Sequence, residues 1–405
     1  MTFRAFLNYS TSGIPAAVLA TVLTVPFSAP AQDAGGSDDV AGSVTLVAGR
    51  IVRPDGTLDD GVAIVVRDGK IKGLVAAKDV RGPEIRRFDP QTVICPGLID
   101  LFSSIGVVGQ TIETTEFVDP DASAADSLNP SHPDFGNAIR TGITAAMVTP
   151  APRNLVNGVA VTFRTFVDDG GQLDVLRDDG PLVLAFGDGV WRQDRAPTSQ
   201  AGALNELRSL VEQAMQGNGH PRTCAAVAGR LDALFVCDSA NDLYAVRGAL
   251  GDAAGRFGIV HTRDAIDVAA DLKDLKRPVV AGPYGFTSSR RSLLGPAALS
   301  EAGVEVAFPG GFPQASPDSL RITAALAVRH GMDAAAARRA ITIAPAQTAG
   351  VADRVGSIVP GRDGDLVVFS NDPLRLDAVV LEVYVKGVRV YAAKNQESPR
   401  EGAKR

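Results

Sequence analysis

Any chemistry in this chain would come from a few side chains at the ends of short apolar runs. "FVCD" ends in Cys237 and Asp238, and "IVHT" carries His261. Tips of neighbouring strands would bring such a pair together, and a thiolate beside an imidazolium is nucleophilic. Asp238 or Glu116 could orient the pair, or simply be solvated acidic residues. His261 reads more readily as a packed polar residue, and no sequence motif supplies an oxyanion hole. In "GDGVWRQDRAP", Trp191 with Arg192 and Arg195 offers a planar or anionic ligand a flat face and two cations. The same residues also read as a salt-bridge cluster at a rim. The glycines of "GDG" and "PGGFP" would let backbone approach a ligand closely, or form plain turns. Neither is a phosphate loop of the G-x-x-x-x-G-K type. Asp100, in "PGLID", is placed to satisfy local backbone donors. His132, His220 and His330 sit in loop or helix contexts.

The elements that must position these residues begin from the bulk numbers. The chain has 405 residues, 45% hydrophobic and 21% charged, enough for one large α/β unit with an accessory domain. A formal charge of −6 gives no electrostatic case for nucleic acid. Residues 1–31 read as an export signal, with Arg4, an apolar core over 14–27 and "APA" before cleavage. That core is too short to span a bilayer. We therefore expect a periplasmic or secreted protein without a membrane span, followed by a flexible leader over 32–43. The cysteines Cys95, Cys224 and Cys237 read as buried thiols, although an exported chain could oxidise one pair, such as Cys224 with Cys237.

Residues 44–90 alternate like antiparallel strands with Asp55-Gly56 and Asp68-Gly69 as turn signals, and 355–393 have the same texture around Lys386-Gly387. The expectation is one small composite β-sandwich domain built from both ends, with a mobile tail over 394–405. Between them, residues 91–354 hold eight short apolar strands: 92–101, 142–149, 158–166, 181–188, 231–238, 257–262, 277–283 and 303–310. Segments 201–216 and 265–276 have helical apolar spacing. Apolar strands alternating with helices predict a parallel sheet, and eight of them a closed (β/α)8 TIM-type barrel. An open doubly wound sheet is the structural rival.

The run "ITIAPAQTAGVADRVGSIVPGRDGDLVVFSNDP" (341–373), "VYVKGVRVY" (383–391), "PGLID" and "TGITAAMVTPAP" (141–152) together resemble the amidohydrolase superfamily, in particular its imidazolonepropionase-like and exported members. The resemblance spans roughly 44–393. It implies metal-dependent hydrolysis of C–N bonds of amides or cyclic amides. The implied metal ligands are His-x-His on strand 1, Lys or Glu on a middle strand, His on strands 5 and 6, and Asp on strand 8. Here those places hold Phe102 and Ser104, then Phe163 and Arg164, Cys237, His261, and Gly310 and Gly311. Arginine stays protonated and cannot be carboxylated.

His261 alone matches, so the resemblance implies a degenerate metal site with no bound cofactor, or at most a single zinc or other divalent ion. The expected function is a non-catalytic exported binding or accessory protein for an unknown small molecule. The alternatives are a residual hydrolase using one weakly held metal or Cys237–His261, and a scaffold subunit. It would act as a homo-oligomer or beside an intact relative. Trp191, Arg192, Arg164 and Phe312 are the pocket candidates, and Phe102 and Phe312 are expected to fill the strand-end space that ligands and metal would hold.

Overall fold

In the computed structural model, residues 42–393 are described, apart from 83, 169 and 262. The expected export signal, most of the leader and the tail lie outside them. Two of the three turn signals act as read, while at Asp55-Gly56 only the glycine takes positive φ. Asp68-Gly69 and Lys386-Gly387 both take positive φ, the left-handed pair that a two-residue hairpin requires. They close the hairpins Val62–Arg67 with Lys70–Ala76 and Val380–Val385 with Val388–Ala392. One sheet joins Lys70–Ala76, Val62–Arg67, Val44–Val47 and Ile85–Arg87 in that order. A second places Leu366–Phe369 antiparallel to Val93–Pro96, which in turn lies parallel to Arg50–Val52, so both ends of the chain enter one six-stranded sheet. Leu46, Ile64 and Val66 of the first sheet pack with Ile51, Ile94, Leu366 and Val368 of the second.

The eight expected strands all form: β1 (Leu98–Ser103), β2 (Ile143–Val148), β3 (Val161–Val167), β4 (Leu182–Phe186), β5 (Ala233–Cys237), β6 (Gly258–His261), β7 (Val279–Val280) and β8 (Val306–Ala307). Strands β4 to β8 run parallel, as do β1 and β2. Strand β3 does not. It runs antiparallel to β2, and Leu173–Arg177 turns back along it. Val156–Val159 meanwhile pairs antiparallel with β4.

This departs from the closed barrel predicted from sequence: the strands make four sheets, none closed. The physical reason lies in residues 149–181. They carry no helical periodicity and two glycine turns, so a β-ribbon replaces a strand-helix unit there. A bridge from Leu101 to Pro309 still links the first parallel strand to the end of the last.

Alternation along the strands sorts side chains into two cores. Ile99, Leu101, Ala145, Met147, Leu234, Val260, Val280 and Ala307 share an inner cluster. Phe235, Cys237, Ile259, Val279 and Val306 belong to the cluster that includes the helices. The helix Gln200–Met215 buries Ala203, Leu207, Val211 and Ala214 there, one apolar stripe, and Ser199 caps it. The expected helix over 265–276 is only Ala265–Val268, continued as a 3-10 turn. Among the described residues no helix is long and apolar enough to cross a membrane.

Candidate functional site at the strand ends

Strand β1 ends in a bulge: Leu101 faces Met147 and Ser103 faces Val148, with Phe102 between them at φ 53°. A bulky residue in that region is strained and persists only where its surroundings hold it. Phe102 is half-buried and packs on the inner cluster. Beneath it, Asp100 is completely buried. Its carboxylate accepts the backbone N–H groups of Gly310 at 2.5 Å, and of Gly311 and Phe312 at 3.3 Å each. The Ser103 hydroxyl and the Ser104 N–H both donate to the Phe312 carbonyl, at 3.0 and 2.9 Å. Phe312 is itself buried, in the helix-side core.

This latch explains the glycines. A Cβ on Gly310 would lie 2.8 Å from the Asp100 carboxylate, and Gly311 holds φ 68°. Residues 310–312 are thus shaped to bring backbone donors onto Asp100, and glycine is what allows it. Burial pushes the Asp100 carboxyl up to about 7, the N–H donors pulling it part of the way back.

Cys237 and His261 are adjacent in register. No hydrogen bond joins their side chains, which does not favour the alternative of a nucleophilic pair. The His261 ring bonds the Cys237 carbonyl at 3.1 Å through Nδ1 and the Asp264 carboxylate at 2.7 Å through Nε2. Cys237 belongs to the helix-side core, and burial pushes its thiol well above the ordinary range. Strand parity gives the reason: on β5 it is Leu234 and Val236 that meet the inner cluster, so the next inward place is Asp238, not Cys237.

Asp238 is half-buried, and a Cβ on Gly187 would meet its carboxylate at 2.5 Å. Burial raises its carboxyl; Arg263 and His261 oppose the rise, while Asp242 and Asp188 add to it. Asp264 was missed from sequence, although the spacing His261-x-x-Asp264 carries the signal. Glu116 is exposed.

Arg164 is not a pocket residue. It is entirely buried, and its guanidinium donates to Asp365 and Asp174 at 2.8 Å and to Asp363 at 2.5 Å. Burial disfavours its charge, but the three carboxylates outweigh that and hold its pKa above the ordinary value. It lies opposite Ala145, low on β2, because β3 runs the other way.

Trp191 packs edge-on against Phe186 at 5.7 Å. Arg192 forms a two-point pair with Asp194 at 2.8 and 2.5 Å. Arg195 stacks over Phe117 and donates to Asn154 at 2.6 Å. Arg192 is thus paired within the segment, while one terminal nitrogen of Arg195 is buried without a partner among the described residues. His132 lies 3.0 Å from Asp134, and His220 3.1 Å from Asp121. The three cysteines are free; Cys95 and Cys237 are buried, and Cys224 half-buried.

The donors do not fit the divalent metals that the resemblance implies. Zinc needs three or four imidazole, thiolate or carboxylate ligands converging on one point. Among the described residues no group of three or more His, Cys, Asp or Glu could hold an ion. Asp100, the one carboxylate beneath the β1 tip, is taken up by backbone donors.

Comparison with known proteins agrees with this architecture. The family model described as Amidohydrolase family matches residues 265–391. Amidohydrolase tasK of Hapsidospora irregularis is 22% identical over 356 aligned residues, covering 72% of this chain and 36% of that protein. The chain thus spans about a third of that relative's length. An amidohydrolase crystal structure from Thermotoga maritima MSB8 is 24% identical, with a TM-score of 0.74, covering 86% of this chain and 100% of that one. A prolidase complexed with N-methylphosphonate-L-proline is 13% identical, with a TM-score of 0.53, covering 87% and 100%. At these identities the structures speak to the fold. Taken together, the matches support a place in the amidohydrolase superfamily.

Proposed function

We propose that the chain is an amidohydrolase-fold protein in which a hydrogen-bonded latch stands where relatives would hold a metal, kept for binding or accessory work outside the cytoplasm. The observation that carries this is the Asp100 carboxylate engaged by Gly310, Gly311 and Phe312, below a β1 tip of Phe102 and Ser104. Lowering the pKa of a bound water towards neutrality requires a cation with an open position, and these side chains offer no such cage. On the same reading, the open sheets are a (β/α)8 barrel parted by the ribbon at 156–177, as the Leu101–Pro309 bridge and the shared inner cluster suggest.

The partner would be a small molecule at the rim, a second copy, or an intact relative. Export would follow from residues 1–31. The Cys237–His261 alternative is disfavoured, since the thiol is buried on the helix side and both ring nitrogens are engaged elsewhere.

The test is turnover of linear and cyclic amides with zinc or manganese added. We expect none above background. A kcat of about 1 s⁻¹ or more, at the low end of ordinary enzymes, would overturn the proposal.

A further inference from the structure

A groove lies on the outer layer, lined by none of the strand-end residues described above. Its floor is Leu293 of the helix Arg290–Glu301 with Ala325 and Leu326 of the helix Ser319–Arg329, and it encloses about 350 Å³. Phe286 and Leu376 flank it and are 70% and 59% exposed. What sets these two apart from other exposed apolar side chains is that they flank the same groove, and clustered apolar exposure marks binding surfaces. Arg329 and His330 line the same groove. Neither side chain makes an ion pair or hydrogen bond among the described residues, whereas nearby Arg375 is paired with Asp377 and Arg321 is taken up by backbone carbonyls.

An apolar cavity with an unpaired guanidinium at its edge selects a ligand with an apolar body and one anionic end. We propose that this groove binds a small amphipathic carboxylate, its body against Leu293, Ala325 and Leu326 and its carboxylate at Arg329, with His330 beside it. A macromolecular partner fits less well. The groove has seven lining residues, against the roughly 20–30 a side of a standard protein interface, while its volume suits a small molecule.

The probe pair is 3-phenylpropionate and its uncharged counterpart 3-phenyl-1-propanol, titrated calorimetrically into the full chain. We expect saturable binding of the carboxylate, about tenfold tighter than the alcohol, which corresponds to ~1.4 kcal/mol. Arg329→Gln should remove that difference while leaving alcohol binding in place. Phe286→Ser, at a site too exposed to threaten the fold, should weaken both. Equal affinity for the two probes, no saturable heat from either, or carboxylate binding unchanged in Arg329→Gln would each overturn the proposal. So would a dimer by light scattering that Phe286→Ser dissociates, since the groove would then belong to a second copy.

Discussion

Asp100 and Arg164 are both enclosed, and each is defined by what surrounds its charge. Asp100 serves backbone donors. Asp100→Ala would leave the buried N–H groups of Gly310 and Phe312, and the half-buried one of Gly311, without an acceptor, at about 1–3 kcal/mol for each buried group left unsatisfied. We expect a loss of at least about 3 kcal/mol in urea unfolding, with Asp100→Asn losing less because its carbonyl still accepts. A loss below about 1 kcal/mol for the alanine would contradict the latch. The pH dependence has a definite sign. With its carboxyl at about 7 in the folded state against the ordinary 3.8, Asp100 keeps a proton on folding that the unfolded chain releases. Its contribution is therefore full below pH 3.8 and lost as pH rises through about 7. Asp100→Asn should flatten that part of the stability profile, and an unchanged slope would refute the assignment. Arg164→Met leaves Asp363 with Lys70 and Arg354 and Asp174 with Lys386, but takes from the buried Asp365 the one cation it pairs with among the described residues, and breaking a buried pair costs about 3–5 kcal/mol. Urea unfolding with an unchanged midpoint would show that the network is dispensable.

The elements show where sequence reading succeeds and where it stops. The hairpins at Asp68-Gly69 and Lys386-Gly387 were legible because the two turn residues themselves dictate φ. Asp100 was expected to serve local backbone donors, whereas the donors it engages are Gly310, Gly311 and Phe312, far along the chain, which no local pattern reveals. The direction of β3 was not, because the partner of Arg164 lies about two hundred residues away in Asp363 and Asp365. Nor were the faces of Cys237 and His261, since an offset of one residue on a strand exchanges the inward and outward sets. Helix ends, in contrast, are local. Ser239 and Asp242 form a reciprocal capping box at the start of the helix Ala240–Leu250, just past the β5 tip. Ser239→Ala should cost about 1 kcal/mol, read as a shift in the urea midpoint; no shift would mean that the cap does not set this helix start.

At the scale of the whole molecule, the fold is similar to that of an amidohydrolase, and the Asp100 strand end is bonded internally. Strands from the first and last parts of the described residues share one sheet, Leu366–Phe369 pairing with Val93–Pro96, and Arg164 ties β3 to the same region through Asp363 and Asp365. The first and last parallel strands are joined by backbone donors on Asp100. That latch makes a concrete claim about metal affinity, because bringing ligands together at the strand ends would require breaking it. The most direct measurement is metal content per chain of the purified protein, by elemental mass spectrometry, before and after incubation with zinc or manganese and desalting. The account predicts less than about a tenth of an equivalent in each case, too little for metal-assisted hydrolysis. One equivalent or more, lost in His261→Ala, would contradict it and restore a metal hydrolase.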